Sequence, residues 1–187
     1  MENKLPVRKH PRLKKYDYSE NGYYYITLCT HDKLPILSEV TVGRGLAPAG
    51  IELSTIGKTV EKQLLELPLR FPSIEIDKYI IMPTHLHVII ILRYGSAGAS
   101  HSTGVSLTTR ASLAAGTSPR PTLMDVVCAF KSLSTRLCNK NDNMQKRKIW
   151  QTSFYDKIIK DEKEYHEIWK YIDENHIKWA DDEYYVK

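Results

Sequence analysis

Cysteine is scarce in this chain: three in 187 residues, at Cys29, Cys128 and Cys138. An odd number without metal-type spacing suggests reduced thiols in a cytosol rather than a disulfide framework. No secretory leader is expected either, because Met1-Glu2-Asn3-Lys4-Leu5-Pro6 carries no apolar core. The most apolar run, Tyr79 to Leu92, is too short to cross a membrane and is broken by Pro83 and two histidines. Nor is there a phosphate-binding loop. Gly43-Arg44-Gly45 lacks the Lys-Ser/Thr ending and the preceding strand that such a loop needs. The expectation is a soluble, cytoplasmic protein of one domain, with 42% hydrophobic and 26% charged residues.

Positive charge is present in modest excess. The net charge of +5 and pI near 9.0 point gently toward a polyanionic partner such as nucleic acid. Residues 1–21 form a basic arm, with Arg8, Lys9, His10, Arg12, Lys14 and Lys15 close together and Tyr16 and Tyr18 interleaved. Such an arm is either a solvated tail or a nucleic-acid contact that orders on binding.

The apolar run carries His85 and His87 one residue apart. In a strand they share a face with Ile89 and Ile91, while Leu86, Val88, Ile90 and Leu92 take the other. A strand apolar on both faces is a central strand covered on both sides. Two imidazoles at its entrance form a bidentate hold on a metal ion, or else cap a hairpin edge locally.

Around that strand the chain reads as alternating strands and helices. Tyr23 to Cys29 is a strand, Ile36 to Val40 and Ile51 to Leu53 form a small hairpin, and Thr55 to Leu67 is an amphipathic helix ended by Pro68 and Pro72. Ile74 to Met82 pairs antiparallel with the histidine strand through a turn at Pro83-Thr84. Residues 94–120 are rich in Gly, Ser and Ala and read as a flexible insert. Thr122 caps a helix with the stripe Leu123, Val126, Val127, Phe130, Leu133 and Leu137. A short strand from Phe154 to Ile159 and a helix from Asp161 to Asn175 follow. This order predicts an α+β, ferredoxin-like (split βαβ) antiparallel sheet over residues 22–182, with helices on one face and a C-terminal helix. The other face is expected to stay open for nucleic acid.

On the last helix Tyr165, Trp169 and Ile172 form the docking stripe, and Tyr171 and Asn175 stack four residues apart beside it. Met82-Pro83-Thr84-His85-Leu86-His87-Val88 resembles the histidine–hydrophobic–histidine (HUH) motif of single-tyrosine transposases of the insertion-sequence type. Tyr171-Ile172-Asp173-Glu174-Asn175 resembles their nucleophile helix. Ile149-Trp150-Gln151, Ala129-Phe130-Lys131-Ser132 and Lys178-Trp179-x-x-Asp182 are similar to segments of the REP-associated tyrosine transposases. One departure is His176, where many relatives carry Pro.

The resemblance implies a metal-dependent single-stranded DNA endonuclease and strand transferase, active on hairpin DNA through a 5′-phosphotyrosyl intermediate. Tyr171 is then the nucleophile, with His85 and His87 catalytic. His85, His87 and Asn175 would bind Mg²⁺ or Mn²⁺. Arg12, Lys14, Lys15, Lys131, Lys146, Arg147, Lys148, Trp150 and Gln151 are candidate DNA contacts, with core packing the alternative for Trp150. A monomer and a homodimer both fit. The alternative is a ferredoxin-like nucleic-acid-binding protein, non-catalytic or domesticated. A histidine-motif nucleotide hydrolase is disfavoured because position 89 is Ile. Tyr155 and Tyr165 are weaker nucleophiles, lacking an amide residue four positions on.

Overall fold

The computed structural model describes residues 16–41, 50–94 and 120–179, together with Asp182, Tyr184 and Tyr185. The expectations for Arg12, Lys14 and Lys15, and for the insert apart from its two ends, lie outside these residues. The elements are β1 (Gly22–Cys29), β2 (Ser38–Thr41), β3 (Gly50–Leu53), α1 (Thr55–Leu65), α2 (Leu67–Arg70), β4 (Ile74–Ile81), β5 (His85–Leu92), α3 (Leu123–Asn141), β6 (Tyr155–Ile159) and α4 (Glu162–Glu174). Pro68 does not end helical structure as expected. Proline needs no N–H donor in a first turn, so it sits at the start of α2 and the chain turns on to Arg70.

One sheet has the order β4-β5-β1-β6, with every neighbour antiparallel, and β2 and β3 form a separate hairpin. This is the split βαβ order expected from the sequence. The two faces of β5 supply two cores. Leu86, Val88, Ile90 and Leu92 join Tyr24, Ile26 and Leu28 of β1 beneath Val60 and Leu64 of α1 and Val126, Val127 and Phe130 of α3. Ile89, on the histidine face, joins Tyr25, Ile159, Ile168 and Ile172. The second face is therefore not open, because α4 lies across it.

Polar ties fix where α4 sits. A register shift in β4 between Ile76 and Lys78 accompanies a Tyr165 hydroxyl donating to Asp77 at 2.8 Å. Lys78 lies over the Trp169 ring at 3.8 Å and bonds Asp173 at 2.5 Å. Trp169 thus stays 39% exposed under a lysine, and Ile168, expected only at the edge of the docking stripe, takes the buried place expected of Trp169. On α3 the buried stripe likewise turns at its C-terminal half, to Ser134 and Cys138 rather than Leu133 and Leu137. Trp150 engages Ser134, its indole N–H donating to Oγ at 2.9 Å, while Cys138 lies against α1 with Sγ 4.0 Å from the Ile56 carbonyl oxygen.

Candidate active site

β5 and α4 bring His85, His87, Tyr171 and Asn175 to one end of the second sheet face. The turn before β5 is held by Met82 N donating to His85 O at 2.8 Å and by Thr30 N donating to Thr84 O at 2.8 Å. Alternation along the strand then places the two imidazoles with ring centroids 4.4 Å apart and both side chains buried. Ile168 and Ile172 seat α4 on the sheet, which sets the Tyr171 hydroxyl 3.4 Å from His87 Nε2 within the same chain. Tyr171 is 42% exposed and faces a cleft of about 560 Å³ lined also by Tyr25, Thr27, Tyr155, Lys157, Ile168 and Tyr184.

One helical turn on, Asn175 is only 2% exposed. Its Nδ2 donates to Asp182 at 3.0 Å, so the amide is turned and Oδ1 is left buried with no hydrogen-bond partner. His85 Nε2 is a second such atom. Its tautomer follows from its neighbours. Thr84 has one hydroxyl proton and gives it to the Tyr184 carbonyl at 3.0 Å, so at 3.2 Å its oxygen is left to accept from His85 Nδ1–H. In this tautomer Nε2 carries the ring's lone pair.

Burial lowers the pKa of His85 to about 3, partly offset by the Asn175 side chain, and Lys33 lowers it further. Burial, and then His85, hold His87 well below the usual histidine value. Both rings are thus neutral at physiological pH, as ligation requires.

Orphaned buried polar atoms are costly, and a bound cation would satisfy these two. The Asp182 carboxylate adds a charge, since its ligand atom and those of His85 and His87 lie within 4.8 Å of one another. Two imidazoles, an amide oxygen and a carboxylate fit one divalent ion. The sequence reading did not name Asp182 as a ligand. Its one signal was the closing Trp179-x-x-Asp182.

The expected DNA contacts divide in two. Lys146 and Lys148 are exposed, on the rim of a groove of about 450 Å³ shared with Arg136. Three others are engaged within the protein. Lys131 donates to the carbonyls of Gln151 at 2.6 Å and Thr152 at 2.8 Å, Arg147 pairs with Asp142 at 2.5 Å, and Trp150 is 6% exposed against Phe130. Trp150 is a core residue, the second of its two readings, and offers no open face to a base. Gln151 extends the sheet edge, its N–H donating to Cys29 O at 3.0 Å. No helix among the described residues is long and apolar enough to cross a membrane.

No protein-family model matches the chain. An uncharacterized protein of Haemophilus influenzae is 32% identical over 179 residues, spanning 96% of this chain and 93% of that protein. A solved REP-associated tyrosine transposase, bound to a REP hairpin, superposes with a TM-score of 0.56 at 17% identity, over 89% of this chain and 73% of that one. A presumed transposase from Deinococcus radiodurans covers 88% of this chain and 97% of its own at 15% identity, with a TM-score of 0.45. The chain therefore belongs to one family with the Haemophilus influenzae protein, and its fold is that of the REP-associated tyrosine transposase.

Proposed function

We propose that the chain is a DNA strand transferase of the single-tyrosine HUH type, acting on single-stranded DNA that folds into hairpins. The observation that carries this is the meeting of Tyr171 with His87 at 3.4 Å, beside the orphaned His85 Nε2 and Asn175 Oδ1. A partly exposed phenol next to a cation-ready donor set is what phosphodiester transfer to tyrosine requires. The hairpin bound in the solved transposase supports the substrate class.

In this reading Tyr171 Oη attacks a DNA phosphorus. The O–P bond forms as the bond from phosphorus to the 3′ oxygen breaks. The phenol proton passes to water, which reaches this exposed side chain, and the leaving 3′ oxygen takes up a proton. The product is a 5′-phosphotyrosyl link and a free 3′-OH. The link retains the phosphodiester bond energy, so a second 3′ end reverses the step without ATP. His85, His87, Asn175 and Asp182 would hold Mg²⁺ or Mn²⁺, which when bound polarises the phosphate and stabilises charge on the leaving oxygen.

Purified protein mixed with labelled hairpin DNA and Mn²⁺ is expected to form a covalent adduct on a denaturing gel. The adduct should vanish with chelator and with Tyr171→Phe. An adduct that survives Tyr171→Phe would overturn the nucleophile. Binding of hairpins without any adduct, across varied hairpin sequences, would favour the non-catalytic alternative.

A further inference from the structure

Two hydroxyls converge on Nδ1 of His87: Tyr25 Oη at 2.7 Å and Thr27 Oγ1 at 2.9 Å. Both come from β1, where Thr27 lies directly opposite His87 and Tyr25 is two residues along on the same face. The Tyr25 ring also lies nearly parallel to the imidazole, with centroids 5.5 Å apart at 28°, and stands edge-on to Tyr171 at 6.4 Å and 90°. Burial raises the Tyr25 phenol far above its usual range, so it stays neutral. None of these groups has a role in the chemistry described above.

We propose that Tyr25, assisted by Thr27, is a positioning residue for His87: its hydroxyl holds Nδ1 and so turns Nε2 toward Tyr171 and His85. The inference rests on the strand-transferase reading and deepens it. An imidazole held only by packing can turn over, exchanging its nitrogens for carbons at the cleft. A hydroxyl at 2.7 Å on Nδ1 selects the one orientation in which Nε2 faces the donor set. For Nε2 to lend its lone pair, Nδ1 must carry the ring proton, and a hydroxyl oxygen is the acceptor that keeps it there. His85 is arranged in parallel, with Nδ1 on the Thr84 hydroxyl. Each histidine thus has a hydroxyl on Nδ1, which leaves its Nε2 as the nitrogen free to ligate. Partners that orient a ligating histidine in this way typically change metal affinity about 10- to 100-fold when removed.

The test uses the full chain without DNA. Tyr25→Phe keeps the ring contacts with His87 and Tyr171 and deletes only the oxygen. Nitrogen NMR of the metal-free protein reads the His87 tautomer, and titration with Mn²⁺ alone reads affinity. The wild type is expected to show a single tautomer. Tyr25→Phe should show a mixture, with the Mn²⁺ Kd raised about 10- to 100-fold and the thermal midpoint little changed. Thr27→Val should act in the same direction and Thr27→Ser should restore the wild-type spectrum, a pair that carries the test if Tyr25→Phe does not fold. An unchanged tautomer and an unchanged Kd in Tyr25→Phe would overturn the proposal. A wild type that takes up no Mn²⁺ would instead remove the metal reading, and the metal-free spectra alone would then decide whether Tyr25 holds the ring.

Discussion

Asp182 touches both Asn175 and the histidine pair, and two effects of that carboxylate can be separated. One is a hydrogen bond from Asn175 Nδ2 at 3.0 Å, which orients the amide. The other is a negative charge whose ligand atom lies within 4.8 Å of those of His85 and His87. Asp182→Asn keeps an oxygen able to accept from Asn175 and removes only the charge. If the charge serves the cation, Mn²⁺ affinity of the DNA-free protein falls about 10-fold or more while the fold is unaffected. Asp182→Ala loses both effects and should fall further. Equal affinity in Asp182→Asn and wild type would leave Asp182 as an anchor for the C-terminal segment. The order of the three affinities therefore assigns the residue.

At the scale of elements, helix ends and close approaches supply testable strengths. Thr122 and Asp125 form a capping box at the start of α3, and the bonds from Thr122 hold the Asp125 carboxyl below its ordinary range. A carboxyl lowered in the folded state contributes stability above the unfolded-state pKa and loses it as pH falls through the folded value. Asp125→Ala should cost about 0.5 to 1 kcal/mol at neutral pH, and the gap to wild type should close in acid, as read from melting across pH. Gly57 in α1 is a stricter case, because an added Cβ would meet the Leu37 carbonyl oxygen, which is backbone and cannot swing away. Gly57→Ala is expected to cost about 1 to 3 kcal/mol by denaturant melting, despite alanine's better helix propensity. The same scale explains what was legible in the sequence. Period two in β5 is a local pattern, so the sheet's central strand could be read directly, whereas the pairing of Tyr171 and Asn175 with the histidines came from the resemblance of the two motifs to those of the single-tyrosine transposases. The Ser134 and Cys138 stripe could not be read, because its partners, Trp150 and α1, arrive from beyond the helix. Tyr25 and Thr27 were hidden for a related reason: pairing between β1 and β5 spans some sixty residues, and no local periodicity encodes it.

For the whole molecule, the charge of +5 gains meaning only once its cations are sorted by what they already hold. Lys131 is bound to two carbonyls of the segment leading into β6, and Arg147 to Asp142, so both are occupied in the fold. Lys146 and Lys148 are exposed beside the groove under α3, and the segment that follows them runs along β1, with Gln151 N–H on the carbonyl of Cys29, the residue paired with His85. A strand of DNA following that edge would meet these lysines near the histidine end of the sheet. Each phosphate neutralised on a single strand contributes about 0.7 to the slope of log affinity against log salt, so four such contacts weaken binding roughly 50-fold between about 50 and 200 mM salt. Lys146→Ala and Lys148→Ala should each lower that slope by about 0.7 for hairpin DNA, leaving the melting temperature and the dependence of the adduct on Tyr171 unchanged. Lys131→Ala should do the opposite, lowering the melting temperature because two carbonyls lose their donor, with little change in slope. A Lys131→Ala variant that melts like wild type but loses salt dependence would mean that the lysine leaves its carbonyls for phosphate when DNA binds. The groove would then be a moving part of the interface rather than a preformed one.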